Sequence, residues 1–150
     1  MSGAWSDLRA QSGLQTFERE ALIIETAQGV RHAFTVEVAV TPEQKAQGLM
    51  FRRTLAPDAG MLFLYRIEWP VAMWMKNTYI PLDMLFIGRD GRIRDIAERT
   101  VPGSLQAIAP DAPVLAVLEL NGGTVERLGI KVGDRVIHPA FQGEQAPAGQ

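Results

Sequence analysis

Lys76, Asn77 and Thr78 stand together, and Asp83 follows a short spacer of Tyr79, Ile80, Pro81 and Leu82. An ammonium and a carboxylate flanking a turn, with an amide and a hydroxyl between them, could hold a polar ligand or trade protons as acid and base. The same residues also suit a plain hairpin, with Lys76 and Asp83 paired across it and Asn77 and Thr78 making the turn. Register decides: an even connection puts Lys76 and Asp83 on one face, and an odd one puts Asp83 with Met75. Glu119 is the second candidate, because it lies inside the apolar run Val114–Leu120. A carboxylate there needs a partner or a wet face. Arg52 and Lys76 are the expected partners, and such a pair serves either structure or catalysis. Arg52 by itself could clamp a carboxylate or phosphate, or bond carbonyls near a helix end.

Several other chemistries lack their residues. The chain has no cysteine, which removes disulfides, thiolate metal sites and thiol nucleophiles. His32 and His138 are isolated and form no zinc motif. Met73 and Met75 would share a strand face, as copper(I) ligands or as core filler. Ser104 has no nucleophile-elbow setting. Gly122-Gly123-Thr124 could offer amides to an anion or cap a helix, but no lysine follows as in a phosphate-binding loop. No cofactor motif and no metal site are expected. Phe63, Tyr65, Trp69, Trp74, Tyr79 and Phe86 fall close together. Phe63 and Phe86 are expected in the core, and Trp69 and Tyr79, beside turns, at the surface.

The elements that must position these groups can be read from spacing. Ala21–Thr26 and the alternating Arg31–Val40 form a hairpin of strands. Thr41-Pro42-Glu43-Gln44 is a capping box with proline at the first helical position, so a short helix runs to about Phe51. Strands follow at Met61–Tyr65, Val71–Lys76, Leu82–Ile87 and Arg92–Ala97, the last two joined by the turn Gly88-Arg89-Asp90-Gly91. Val114–Leu120 is a buried strand, Thr124–Leu128 a helical turn stopped by Gly129, and Arg135–His138 the final strand. The expected fold is α+β, a curled, partly closed antiparallel sheet of about eight short strands with two short helices. Residues 1–17 read as a loose N-terminal arm, 18–141 as a single β-rich domain, and 142–150 as a disordered tail.

At 150 residues the chain is one ordinary domain, and its net charge of −2 gives no basic field for nucleic acid. No apolar run is long enough for a membrane helix.

Beyond these readings, an ordered series of blocks runs along the chain. It comprises Gly48-Leu49-Met50 with Arg52, Gly60-Met61-Leu62-Phe63, Trp74-Met75-Lys76-Asn77-Thr78, Ile80-Pro81-Leu82-Asp83, Val117-Leu118-Glu119-Leu120 and Gly133-Asp134-Arg135-Val136. The series resembles the domain-of-unknown-function family 192 from about Ala21 to Ile137. Met73 stands where the family more often has an aromatic, and residues 103–109 lack its usual tyrosine stretch. The resemblance implies a small β-rich domain, often exported, which points to a periplasmic or secreted protein, with the cytoplasm as the alternative. It implies no agreed activity. Two functional readings follow. One is a binding or accessory domain for a small polar ligand or a partner protein, with Arg52, Trp74, Lys76, Asn77, Thr78, Asp83 and Glu119 as its site. The other is a hydrolase-like enzyme using Lys76, Asp83 and Glu119 as acid and base groups. The first is preferred, because no catalytic constellation is visible.

Overall fold

Strands β1 (Glu18–Glu25) and β2 (Arg31–Ala39) form the expected antiparallel hairpin. Alternation along β2 turns Phe34, Val36 and Val38 inward, where all three are buried. Helix α1 (Pro42–Gln47) begins as expected: the Thr41 side chain accepts from the Gln44 amide, and the Gln44 side chain accepts from the Thr41 amide. It stops at Gly48, short of the expected Phe51. The structure, a computed structural model, describes residues 13–141. The expected tail and the first 12 residues of the expected arm lie outside the described residues.

Strand β3 (Ala59–Trp69) pairs with β2 in parallel, so β2, α1 and β3 form a crossover unit. An antiparallel sheet was expected throughout, and the sheet is mixed. The helix between these two strands is what a parallel connection requires. Strands β4 (Leu82–Ile87), β5 (Ile93–Ala97), β6 (Val114–Asn121) and β7 (Arg135–Ile137) complete a sheet of seven strands, in the order β5-β4-β6-β3-β2-β1-β7. The expected strand Val71–Lys76 is not formed. That segment is a loop with one bridge, in which Met73 and Ile108 exchange backbone hydrogen bonds at 2.8 Å. Proline at 70 and 81 bounds it and limits ladder donors.

The sheet curls until its two edges meet. Val136 donates to the Gly91 carbonyl at 2.7 Å, and Ile93 donates to that of Asp134 at 2.9 Å. The inner face holds one core, with Ile24, Val36, Leu62, Leu85 and Leu118 among its buried residues. Helix α2 (Thr124–Leu128) adds Val125 to this core. The outer face carries a second core around Met61, Phe63, Met75, Met84, Phe86 and Val117. Leu49, just past α1, and Met75, from the loop after β3, belong to this second core, so these segments cover it. Phe63 and Phe86 are buried and Trp69 and Tyr79 are exposed, as expected.

Candidate functional site

The position of Glu119 follows from strand alternation. On β6, Leu118 and Leu120 face the inner core, while Val117 and Glu119 face the outer one. Glu119 stands opposite Met61 of β3 and Met84 of β4, both fully buried. Thioethers donate no hydrogen bond, so these neighbours cannot support a carboxylate. Glu119 is 4% exposed, and among the described residues its carboxyl has no hydrogen-bond or ion-pair partner. Burial without a partner disfavours the charged form, and its pKa is pushed up to about 8. At neutral pH it is mainly a neutral acid.

This acid lines a pocket of about 350 Å3 between α1, β3, β6 and the loop after β3. Phe63 and Tyr65 form one wall, because alternation along β3 puts them on the same face as Met61. Met73 and Trp74 form another, and Lys45 comes from α1. The Lys45 ammonium lies 4.0 Å from the centre of the Tyr65 ring. Burial lowers the Lys45 pKa. The Tyr65 phenol is raised by burial first and then by the Glu119 charge. An acid that can give or take a proton, aromatic walls and one ammonium thus share a single opening.

Of the residues expected to form a site, Trp74, Thr78 and Glu119 line this pocket. Lys76 and Asn77 border a shallower neighbouring depression, which Thr78 also lines. The Lys76 ammonium is 5.1 Å from the Trp74 ring centre and makes no pair with Asp83 or Glu119. Asn77 has a positive φ of 54°, and its carbonyl accepts from the Phe51 amide at 2.8 Å. The Trp-Met-Lys-Asn-Thr block is anchored by Met75, which is fully buried and receives a hydrogen bond on sulfur from the Thr100 hydroxyl.

Arg52 and Asp83 do not join the site. Arg52 was the expected partner of Glu119, and it makes a two-pronged ion pair with Glu37 of β2 instead. Asp83 is fully buried and accepts from the amides of Arg99, Gly123 and Val125 at 2.9–3.1 Å. Those amides include the start of α2, which has no side-chain cap of its own. In the Gly122-Gly123-Thr124 turn the Gly123 amide is thus given to an anion within the chain, while the Gly122 amide donates to the Pro81 carbonyl at 2.9 Å. No hairpin joins Lys76 to Asp83, and Lys76, Asp83 and Glu119 do not converge as the hydrolase reading requires.

Sequence reading missed Lys45, Phe63 and Tyr65 as pocket residues. Alternation along β3 groups the two aromatics, but their meeting with Glu119 depends on the β3–β6 register, in which Phe63 stands opposite Val117 and Met61 opposite Glu119.

A small domain built on a curled mixed sheet, with one acid-floored, aromatic-walled pocket, is the class of protein these features define. The model of the family DUF192, described as "Uncharacterized ACR", matches residues 23–138, and the chain belongs to this family. Two solved structures are similar over most of their length. One, from Sinorhizobium meliloti 1021, is assigned provisionally as a transcription regulator; it is 53% identical, with 85% of this chain and 98% of that one covered and a TM-score of 0.83. The other, a protein of unknown function from Novosphingobium aromaticivorans DSM 12444, is 41% identical, with 83% and 89% covered and a TM-score of 0.79. No curated protein matches the chain.

Proposed function

We propose that this domain binds a small polar ligand in the Glu119 pocket and acts as a binding or accessory module outside the cytoplasm. One observation carries the reading: Glu119, a residue 4% exposed, lines an open pocket, and its carboxyl has no partner among the described residues. An unpartnered buried acid is costly to folding, so a protein that keeps one at a pocket has a use for it. The pocket volume of about 350 Å3 lies within the range of small-molecule sites. The enzyme reading is weaker, because no second acid or base joins Glu119 apart from the Tyr65 phenol and Lys45.

The test is a thermal-shift screen of small polar compounds against the native chain and Glu119→Gln. Ligands that stabilise the first and not the second support the reading. A screen in which no compound separates the two proteins overturns it. Cell fractionation of the native gene product tests the compartment. The regulator assignment of the Sinorhizobium relative is checked by a gel-shift assay against random-sequence DNA, where this reading expects no retained band.

A further inference from the structure

We propose that the group this pocket takes is a small aliphatic ammonium, with Glu119 as its counter-ion and the Tyr65 and Trp74 rings as its walls. This deepens the binding reading above and rests on it. A carboxylate set among aromatic faces is the chemistry that recognises an organic cation, through the ion pair and through attraction to the rings. The pocket already shows that attraction with the chain's own side chains. Lys45 places its ammonium 4.0 Å from the Tyr65 ring centre, and just outside the pocket, in the neighbouring depression, Lys76 places its own 5.1 Å from that of Trp74. Neither lysine has an ion-pair partner among the described residues. The rings therefore hold cations without help from an acid, and Lys45 occupies the wall where a ligand ammonium would lie.

An anionic ligand suits the pocket less well. It would need donors, and the Thr78 hydroxyl already donates to the Lys76 carbonyl at 3.2 Å. The donors left on the lining are Lys45, the Gln47 amide, the Tyr65 hydroxyl and the Trp74 indole N–H, and of these Lys45 alone carries a positive charge. An anion would also have to sit beside an acid that ionises at slightly alkaline pH.

The pH dependence has a definite sign. The titratable groups that face Glu119 are Tyr65 from β3 and Lys45 from α1. Strand β4 presents Met84, and the loop after β3 presents Ala72, Met73, Trp74 and Thr78, none of which titrates. Glu119 must lose its proton to pair with an ammonium. With a pKa of about 8, ammonium affinity rises with pH up to about that value, by at most about tenfold per unit, and then levels off. It falls again only when the ligand amine or Lys45 loses its own proton.

The test uses three probes of one shape: n-butylammonium, 1-butanol and butanoate. Each is titrated into the full chain at about pH 6.5 and about pH 8.5 and followed by amide NMR shifts. The expected result is a preference for butylammonium over both others of about tenfold or more at the higher pH, shrinking at the lower. Glu119→Gln should abolish that preference, and Lys45→Met should keep or raise butylammonium affinity. Should Glu119→Gln not fold, the Lys45→Met result and the pH profile decide the matter. Preference for butanoate, equal binding of butanol, or weakening by Lys45→Met each overturns the ammonium assignment and leaves the pocket as a binding site. Absence of any shift at pocket residues with all three probes overturns the assignment, and a screen that also finds no ligand removes the binding reading with it.

Discussion

Asp83 and Glu119 occupy adjacent strands one step out of register: Asp83 stands opposite Leu120, and Glu119 opposite Met84. Their carboxyl groups therefore leave the sheet on opposite faces. Asp83 looks toward the inner side, where backbone amides surround it. Glu119 looks toward the outer pocket, where nothing in the described chain bonds to it. Two acids alike in burial thus differ in role, one architectural and one available.

Removing the Asp83 carboxyl should cost stability and leave the pocket alone. In Asp83→Ala the amides of Arg99, Gly123 and Val125 lose their acceptor. The Val125 amide is buried and those of Arg99 and Gly123 are part-buried; a stranded buried donor costs about 1–3 kcal/mol and a part-buried one less, so a total loss of about 2–3 kcal/mol is expected. Urea denaturation measures it. A loss under about 1 kcal/mol would contradict the capping role.

Glu119 should make the protein less stable as pH rises. Its folded pKa, about 8, lies above the ordinary 4.5. Below pH 4.5 both states hold the proton and its neutral burial costs nothing extra. Between the two values the unfolded chain has released the proton and the folded chain retains it. Stability then falls with rising pH by up to about 1.4 kcal/mol per unit, and levels off above about pH 8. The native chain and Glu119→Gln, unfolded in urea at a series of pH values, should match near pH 4 and diverge above it, with the variant the more stable by about 2 kcal/mol or more near pH 8. Parallel curves would show that Glu119 is ionised or solvated at neutral pH.

Gly60 is held to its size by the β3–β6 contact. A Cβ there would lie 2.6 Å from the Glu119 carbonyl oxygen and 2.7 Å from a Leu120 methyl. Gly60→Ala must push the two strands apart, at a cost of about 2–3 kcal/mol. Because the shift falls on the residue that carries the pocket acid, ligand affinity should drop as well. Denaturation and titration of the one variant check both effects.

Arg52→Ala should weaken the fold without touching the pocket. It leaves Glu37, whose side chain is 17% exposed, without its ion pair. A partly screened pair of this kind is worth about 1–2 kcal/mol, and any ligand that binds at Glu119 should bind unchanged. A loss of affinity as large as that of Glu119→Gln would place Arg52 in the site after all.

Much of the architecture is local and could be read from the chain. Alternation gives the buried face of β2, a nearly continuous apolar run gives β4, buried on both faces, and the Thr41–Gln44 box gives the start of α1. The short α2 stops at Gly129, whose φ of 70° suits glycine. The segment around Met75 misled because an apolar residue at every second position there anchors a loop. Met75 and Thr78 are buried while Trp74, Lys76 and Asn77 stay exposed. Residues expected to act together in the site were separated for a similar reason, since contact between distant segments has no local sign.

The sequence by itself determined seven of the eight expected short strands, the two small helices, the family, and the presence of an acid in an apolar run that required explanation. Each of these depends on neighbours within a few residues, where periodicity and capping chemistry act. Tertiary structure alone decided that β2 and β3 run parallel, that Asp83 serves the amides of α2, that Arg52 meets Glu37, and that Glu119 is left facing an open pocket beside Tyr65 and Lys45. The physical reason is strand register. One residue of slip between β4 and β6 would put the Asp83 and Glu119 carboxyls on the same face, and that register is set by the packing of two cores at once, which no single stretch of the chain encodes.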